Sequence, residues 1–156
     1  MSEFRFEKRQ VSATLHLSTG TTIGGCFFVV TSLTPHGGPE RVGDLLNAED
    51  GYFPFQRDDG TTGQYNRSHV VLVTLPAGMS EEELEPGYSV ALRRSVTIAL
   101  STSTTIEGTV FVGGPPGRER LSDFVRRAKH FWYVVTSEAT LIVNSNHIVA
   151  LVEKST

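Results

Sequence analysis

The stretch LSTGTTIGG that begins at Leu17 returns as LSTSTTIEG at Leu100, identical at seven of nine positions. An offset of 83 residues pairs Leu17 with Leu100, Ile23 with Ile106 and Gly25 with Gly108. At an offset of 79, ERVGDLL from Glu40 meets ERLSDFV from Glu119, keeping Glu, Arg and Asp and exchanging apolar residues for apolar ones. At 78, YFPF from Tyr52 meets HFWY from His130, and YNRSHVVLV from Tyr65 meets VNSNHIVAL from Val143, so that Asn66 coincides with Asn144 and His69 with His147. Falling offsets place a longer loop in the first copy, at the turn residues TPHGGP. Four collinear blocks describe an internal duplication of a unit of about 65 to 75 residues. Two copies are too few for a solenoid, and the expectation is a pair related by a pseudo-twofold axis. The first repeat then spans residues 1–75, a linker 76–92 and the second repeat 93–156.

Within each copy a period of two dominates. VSATLHL sets Val11, Ala13, Leu15 and Leu17 on one face, and SVTIAL does the same with Val96, Ile98 and Leu100, the mark of half-buried strands. TIGGCFFVV and TIEGTVFV follow after short Ser/Thr/Gly turns, so each copy opens as a hairpin with Gly25 or Gly108 in mid-strand, where glycine permits a bend or bulge. GYFPFQ and HFWYVVTS read as aromatic strands, with Pro54 placing the first at an edge or bulge. SHVVLVTL and EATLIVNSNHIVALVE close the copies, the latter broken at NSN by a tight turn. A short helix in each copy carries Val42, Leu45 and Leu46, or Leu121, Phe124, Val125 and Ala128, on one face. The linker contains Ser80 and Glu83 at capping-box spacing, giving one acidic helical turn that Pro86 ends. The fold class expected is mainly β.

Over 156 residues, 38% apolar and 20% charged, the chain has enough material for a buried core and no run of 18 apolar residues that would span a membrane. The opening MSEFRFEKRQ is charged where a leader peptide would be apolar, so the expected location is the cytoplasm. A lone cysteine, Cys26 within CFFVV, excludes an internal disulfide and reads as a small buried hydrophobe. The net charge of −3 argues against coating nucleic acid by bulk charge. Cations nevertheless gather at Arg93, Arg94 and in RERLSDFVRRAKH, and anions in SEEELEP; solvated faces are the ordinary reading of such runs.

Few constellations carry chemistry. Arg41 with Asp44, and Arg120 with Asp123, lie three apart on one helix face. They are either a pair of matched polar sites or contacts that fix the fold, and the second reading is favoured. His69 and His147 begin equivalent strands as turn or core hydrogen-bonding residues, unless they meet at the pseudo-twofold. HFWYVV would offer a base-stacking platform if Phe131 or Tyr133 faced outward beside Arg126, Arg127 and Lys129. No nucleophile elbow, Walker loop, dinucleotide fingerprint or zinc spacing occurs, GGPPG lacking the Lys-Ser/Thr of a phosphate loop. No catalytic residue, cofactor or metal is therefore expected.

The strand, glycine turn and strand of Ala13 to Gly25 with Asn66 to Val73, and of Val96 to Gly108 with Asn144 to Leu151, resemble the Sm-like small β-barrel. The ERLSDF block before an aromatic strand is similar to a family of small uncharacterised bacterial domains of that architecture. The resemblance implies strongly bent antiparallel strands, edge pairing between units and, in some members, RNA binding through loops. Here the acidic-glycine turn is replaced by Thr19-Gly20 and Thr102-Ser103, and the arginine-glycine of the last motif by Arg67-Ser68 and Ser145-Asn146. The function expected is a non-catalytic interaction or assembly module that engages a protein partner, or itself, through edge strands. The alternative is RNA or single-stranded nucleic-acid binding through the basic second repeat. The candidate binding residues are Arg41, Asp44, Asn66, His69, Arg120, Asp123, Arg126, Arg127, Asn144 and His147.

Overall fold

A computed structural model of the protein describes residues 8–31, 39–85, 87–113, 120–127 and 129–154, with the side chain of Arg127 outside that set. Turn residues 34–38, Pro86, residues 114–117 of the GGPPG segment, Glu119 and Ala128 also lie outside the described residues. The remainder is mainly β. Strands β1 (Lys8–Leu17) and β2 (Thr22–Val30) precede helix α1 (Val42–Asn47), followed by β3 (Tyr52–Arg57), β4 (Thr62–Asn66), a 3₁₀ turn at Arg67–His69 and β5 (Val70–Thr74). After two 3₁₀ turns, Glu81–Leu84 and Tyr88–Val90, come β6 (Leu92–Leu100), β7 (Thr105–Val112), α2 (Leu121–Arg127), β8 (Phe131–Val135) and β9 (Thr140–Asn144). A further 3₁₀ turn at Ser145–His147 leads into β10 (Ile148–Glu153). All ten strands join one antiparallel sheet in the order β10-β6-β7-β8-β9-β5-β1-β2-β3-β4.

The opening strands follow the alternation of their sequence. Val11, Ala13 and Leu15 are buried along β1, and Val96, Ile98 and Leu100 along β6, while the intervening side chains are exposed or half-buried. β1 and β2 form a hairpin from Lys8↔Val30 to His16↔Thr22, and β6 and β7 another from Leu92↔Val112 to Ala99↔Thr105. Gly20 turns the first hairpin at φ 87°, and Ser103, which the 83-residue offset aligns with it, turns the second at φ 66°. The backbone demands a left-handed residue at both places, easily in glycine and under strain in serine.

Gly25 and Gly108 mark close approaches. A Cβ on Gly25 would strike the Gln56 carbonyl oxygen and the Phe55 ring, and one on Gly108 would lie 2.6 Å from Val134 Cγ1 and 2.8 Å from the Val135 carbonyl oxygen. β2 and β3 are paired only at Gly25↔Arg57 and Cys26↔Gln56, and β7 and β8 only at Thr109↔Val135. Pro54 fits this geometry. Although β3 is an internal strand, Pro54 is paired with Gln64 of β4 and lies beyond the short contact with β2, so its missing N–H interrupts no ladder.

Two further expectations change. Ser80 sits at the N-cap of the acidic turn without a side-chain cap bond, and Glu83 N–H instead donates to the Ser80 carbonyl at 3.3 Å; the expected capping box is a short 3₁₀ turn. The turn at NSN is likewise 3₁₀.

Unlike strands join the two halves. β5 pairs with β9 at Leu72↔Val143, Val73↔Ile142 and Thr74↔Leu141, whereas a twofold axis would also require the reciprocal contact of β10 with β4, the strands at opposite ends of the sheet. Strands β8, β9 and β5 at this seam are nearly continuous apolar runs buried on both faces. Phe131, Tyr133, Ile142, Val70 and Val73 enter the core built around Leu15, Phe27 and Phe53, while Trp132, Val134, Leu141, Val143, Val71 and Leu72 enter a second core around Val96, Ile98 and Val110. The side-chain period of two thus feeds alternate residues of β8 and β9 to opposite cores, whereas in β5 the adjacent Val71 and Leu72 both enter the second, where the pairing of β1 with β5 shifts register. Among the described residues no helix is long and apolar enough to cross a membrane.

Candidate functional site at the seam and the sheet edges

The seam carries the largest concentration of polar side chains that the sequence singled out. Asn144, 1% exposed at the end of β9, donates through Nδ2 to the carbonyls of Val70 at 2.9 Å and Arg67 at 3.3 Å, and its Oδ1 accepts from Asn146 N–H at 3.0 Å. His147 Nε2 reaches the Ser68 carbonyl at 2.7 Å, and its Nδ1 contacts Ser101 Oγ at 2.8 Å. Leu75 N–H adds a backbone bond to Thr140 O at 3.0 Å. The 3₁₀ turn before β5 presents the Arg67 and Ser68 carbonyls to Asn144 and His147, which flank the matching turn before β10.

Asn66 and His69 hold matching internal contacts. Asn66 Oδ1 accepts from Ser68 N–H at 3.0 Å, and His69 Nδ1 contacts Ser18 Oγ at 2.8 Å. Asn66 Nδ2 and His69 Nε2 make no side-chain bond across to a neighbouring strand among the described residues. Asn66 ends β4, one of the two strands that end the sheet, and His69 closes the 3₁₀ turn between β4 and β5.

Between them Arg67 turns inward. Its guanidinium, 6% exposed, donates to the Leu45 carbonyl at 2.9 Å and the Tyr52 carbonyl at 2.8 Å and lies 5.5 Å from the centre of the Phe53 ring. Burial pushes its pKa below the ordinary arginine value, against the pull of Glu49 and Asp50. A cleft of about 510 Å³ lies beside it, lined by Asn47, Asp50, Asn66, His130 and Asn144 among others.

A second polar cluster fastens the linker to α1. Asp44 Oδ2 accepts from Arg41 N–H at 2.9 Å and Arg41 Nε at 3.0 Å, and Oδ1 accepts from Arg41 Nη2 at 2.8 Å. Glu85 forms an ion pair with Arg41 Nη1 at 3.5 Å. Burial opposes the arginine charge, yet the bond to Asp44 and the charges around it hold its pKa above the usual value. Glu81 Oε2 accepts from Val42 N–H at 3.0 Å, and its Oε1 accepts from Tyr133 Oη at 3.0 Å. Burial raises the Glu81 pKa despite these donors, and burial followed by the Glu81 charge raises that of Tyr133. Glu82 accepts from Thr140 Oγ1 at 2.8 Å, so two acids of SEEELEP are buried against the two halves.

The structure therefore separates the candidates. Arg41 and Asp44 form a buried pair, whereas Arg120 is exposed, with Asp123 N–H donating to its carbonyl at 3.1 Å; the two pairs are not matched sites. Arg126 is exposed on α2. The outward stacking platform is overturned: Phe131, Trp132 and Tyr133 are at most 7% exposed because both faces of β8 are core. The cleft beside Arg67 is not lined by Asp44, Asp123, His69 or His147. His69 and His147 do not lie across an axis from each other; His147 instead bonds the residue preceding His69. Sequence reasoning missed Glu81, Glu82 and the structural role of Arg67, since an acidic run and an arginine in a turn ordinarily face water.

Comparison of the chain with protein-family models, curated proteins and solved structures finds no match.

Proposed function

We propose that the chain is a tandem of two Sm-like β units serving as a non-catalytic interaction and assembly module, which engages a protein partner through the edges of its sheet. The repeated sequence supports the tandem reading, as does the recurrence of strand, strand, helix, strand, strand, 3₁₀ turn and strand in each half. The units relate head to tail, with β9 of the second against β5 of the first.

One observation carries the functional reading. β5, paired on both sides, is buried along Val70 to Val73, while β10, the strand that the 78-residue offset aligns with it, leaves Val149 72% and Val152 59% exposed. An edge of apolar β-branched residues with unpaired backbone groups is a template for strand addition.

The test is affinity capture with the tagged full chain from cells that express it, beside a chain carrying Val149→Lys and Glu153→Pro. A protein recovered in fixed proportion by the wild type and lost by the variant supports the module. Recovery that ignores β10, or recovery of RNA whose retention falls steeply with salt, overturns it. The latter is the signature of phosphate contacts by Arg126, Arg127 and their neighbours.

A further inference from the structure

A cleft of about 410 Å³ opens where the linker meets the second half, between the residues around the turns Glu81–Leu84 and Tyr88–Val90, β7, α2 and the start of β8. The rings of Tyr88, Phe111, Phe124 and Trp132 line it. Tyr88 and Phe111 meet with ring centres 4.9 Å apart, and Phe124 stands edge-on to Trp132 at 5.0 Å. The first three rings are half-buried, and Trp132 is 6% exposed. Duplication alone does not produce this cleft. Phe124 and Trp132 stand where the first half has Leu45 and Pro54, and Glu82, Glu85 and Tyr88 belong to the linker, outside both repeats.

The charge along its walls is unbalanced. Glu82, 4% exposed, lines the cleft; its Oε1 accepts from Thr140 Oγ1 at 2.8 Å, and it forms no ion pair among the described residues. Glu85 also lines it and meets Arg41 only at 3.5 Å, a guanidinium already held by Asp44 through Nε and Nη2. Lys129 lines the cleft as an exposed residue and pairs with neither acid among the described residues. A carboxylate withdrawn from water without a cation is costly, so the cleft favours a cationic occupant. The rings favour the same sign of charge, because an aromatic face attracts a cation, and Arg93 already lies 5.4 Å from the centre of Phe111 in that way. One donor is left over as well: Trp132 Nε1 is buried with no acceptor among the described residues.

We propose that this cleft binds a small organic ammonium ion that carries an oxygen acceptor, with its alkyl groups against the four rings, its charge towards Glu82 and Glu85, and its oxygen accepting from Trp132 Nε1. Alkyl groups suit these walls because they bury apolar area without leaving N–H donors unpaired. β7 and β8 are internal strands of the sheet, so the site is independent of the sheet edges and does not rest on the assembly reading above.

Trp132 is the only tryptophan of the chain, and its fluorescence reads the site directly. Choline titrated into the purified full chain should give a saturable change, with sodium chloride at equal ionic strength as the blank. The neutral alcohol in which carbon replaces the ammonium nitrogen should bind at least about tenfold more weakly. Ethyltrimethylammonium, which keeps the charge and lacks the hydroxyl, should fall between the two. Glu82→Gln retains an acceptor for Thr140, and Glu85→Gln alters a partly exposed side chain; each should weaken choline about five- to tenfold and leave the alcohol unchanged. Phe124→Leu removes one ring and should weaken choline about threefold or more. Circular dichroism of each variant matching the wild type separates loss of the site from loss of fold.

No saturable change with choline, equal binding of the neutral alcohol, or a choline affinity indifferent to both glutamine variants overturns the proposal. Equal binding of choline and ethyltrimethylammonium overturns the role given to Trp132 Nε1. Capture of a protein at β10 bears on the module reading alone, so the two readings fail separately.

Discussion

His147 Nε2 lies 2.7 Å from the backbone carbonyl of Ser68, a residue 79 positions away. A carbonyl only accepts, so the ring carries its proton on Nε2, and in the neutral imidazole Nδ1 accepts from the Ser101 hydroxyl at 2.8 Å. The histidine therefore joins its own hairpin turn to the opposite half of the sheet.

His147→Ala should destabilise the fold by about 1–2 kcal/mol, and Asn144→Ala by about 2–3 kcal/mol because it strands two carbonyls in a buried seam. The same changes at His69 and Asn66 should cost less than half as much, for neither crosses the seam. Urea unfolding at low protein concentration measures all four. Equal losses at the two histidines would contradict the assignment of the seam.

Arg67 donates to two carbonyls from one planar group, a geometry that a lysine ammonium does not reproduce. Arg67→Lys should lower stability by about 1–3 kcal/mol. An unchanged unfolding midpoint would show that the buried guanidinium is not a fold-determining tie.

Glu81 should make stability fall as pH rises. Its folded pKa lies above the ordinary glutamate value, so the folded state holds more protons than the unfolded chain between the two pKa values. The carboxyl's favourable contribution is complete below the unfolded value and is lost as pH climbs through the folded one. Glu81→Gln should flatten that part of the stability profile, followed by urea midpoints from acid to neutral pH. A profile identical to that of the wild type would refute the buried-acid assignment.

Ser103 adopts φ 66° where its aligned partner is Gly20 at φ 87°. Ser103→Gly should stabilise by about 0.5–1 kcal/mol, relief of the left-handed strain outweighing the greater freedom of glycine in the unfolded chain. Gly25→Ala should destabilise by more than about 2 kcal/mol, since its methyl would collide with the Gln56 carbonyl and overpacking forces the strands apart. Thermal unfolding reads both, and opposite signs are the expected result.

Much of the strand content was legible because the period of two in VSATLHL and SVTIAL has one physical solution, a strand with one buried face. The helix of Val42, Leu45 and Leu46 was legible for the corresponding reason at helical spacing. Sites were less so. Arg41 and Asp44 announced their pairing by spacing, but not that Arg41 would be 3% exposed while Arg120 faces solvent. SEEELEP gave no sign that Glu81 and Glu82 would be buried, because local charge is silent about distant donors such as Val42 N–H and Thr140 Oγ1.

The sequence by itself determined the strands, their facing and the aligned blocks, since alternation and turn chemistry act between residues close along the chain. Only the tertiary structure decided that β5 meets β9, that the ring-rich β8 is buried on both faces, and that Asn144 and His147 cross a seam while Asn66 and His69 do not. The reason is physical: near-identical segments have near-identical local preferences, and what distinguishes them is which strand each finds beside it.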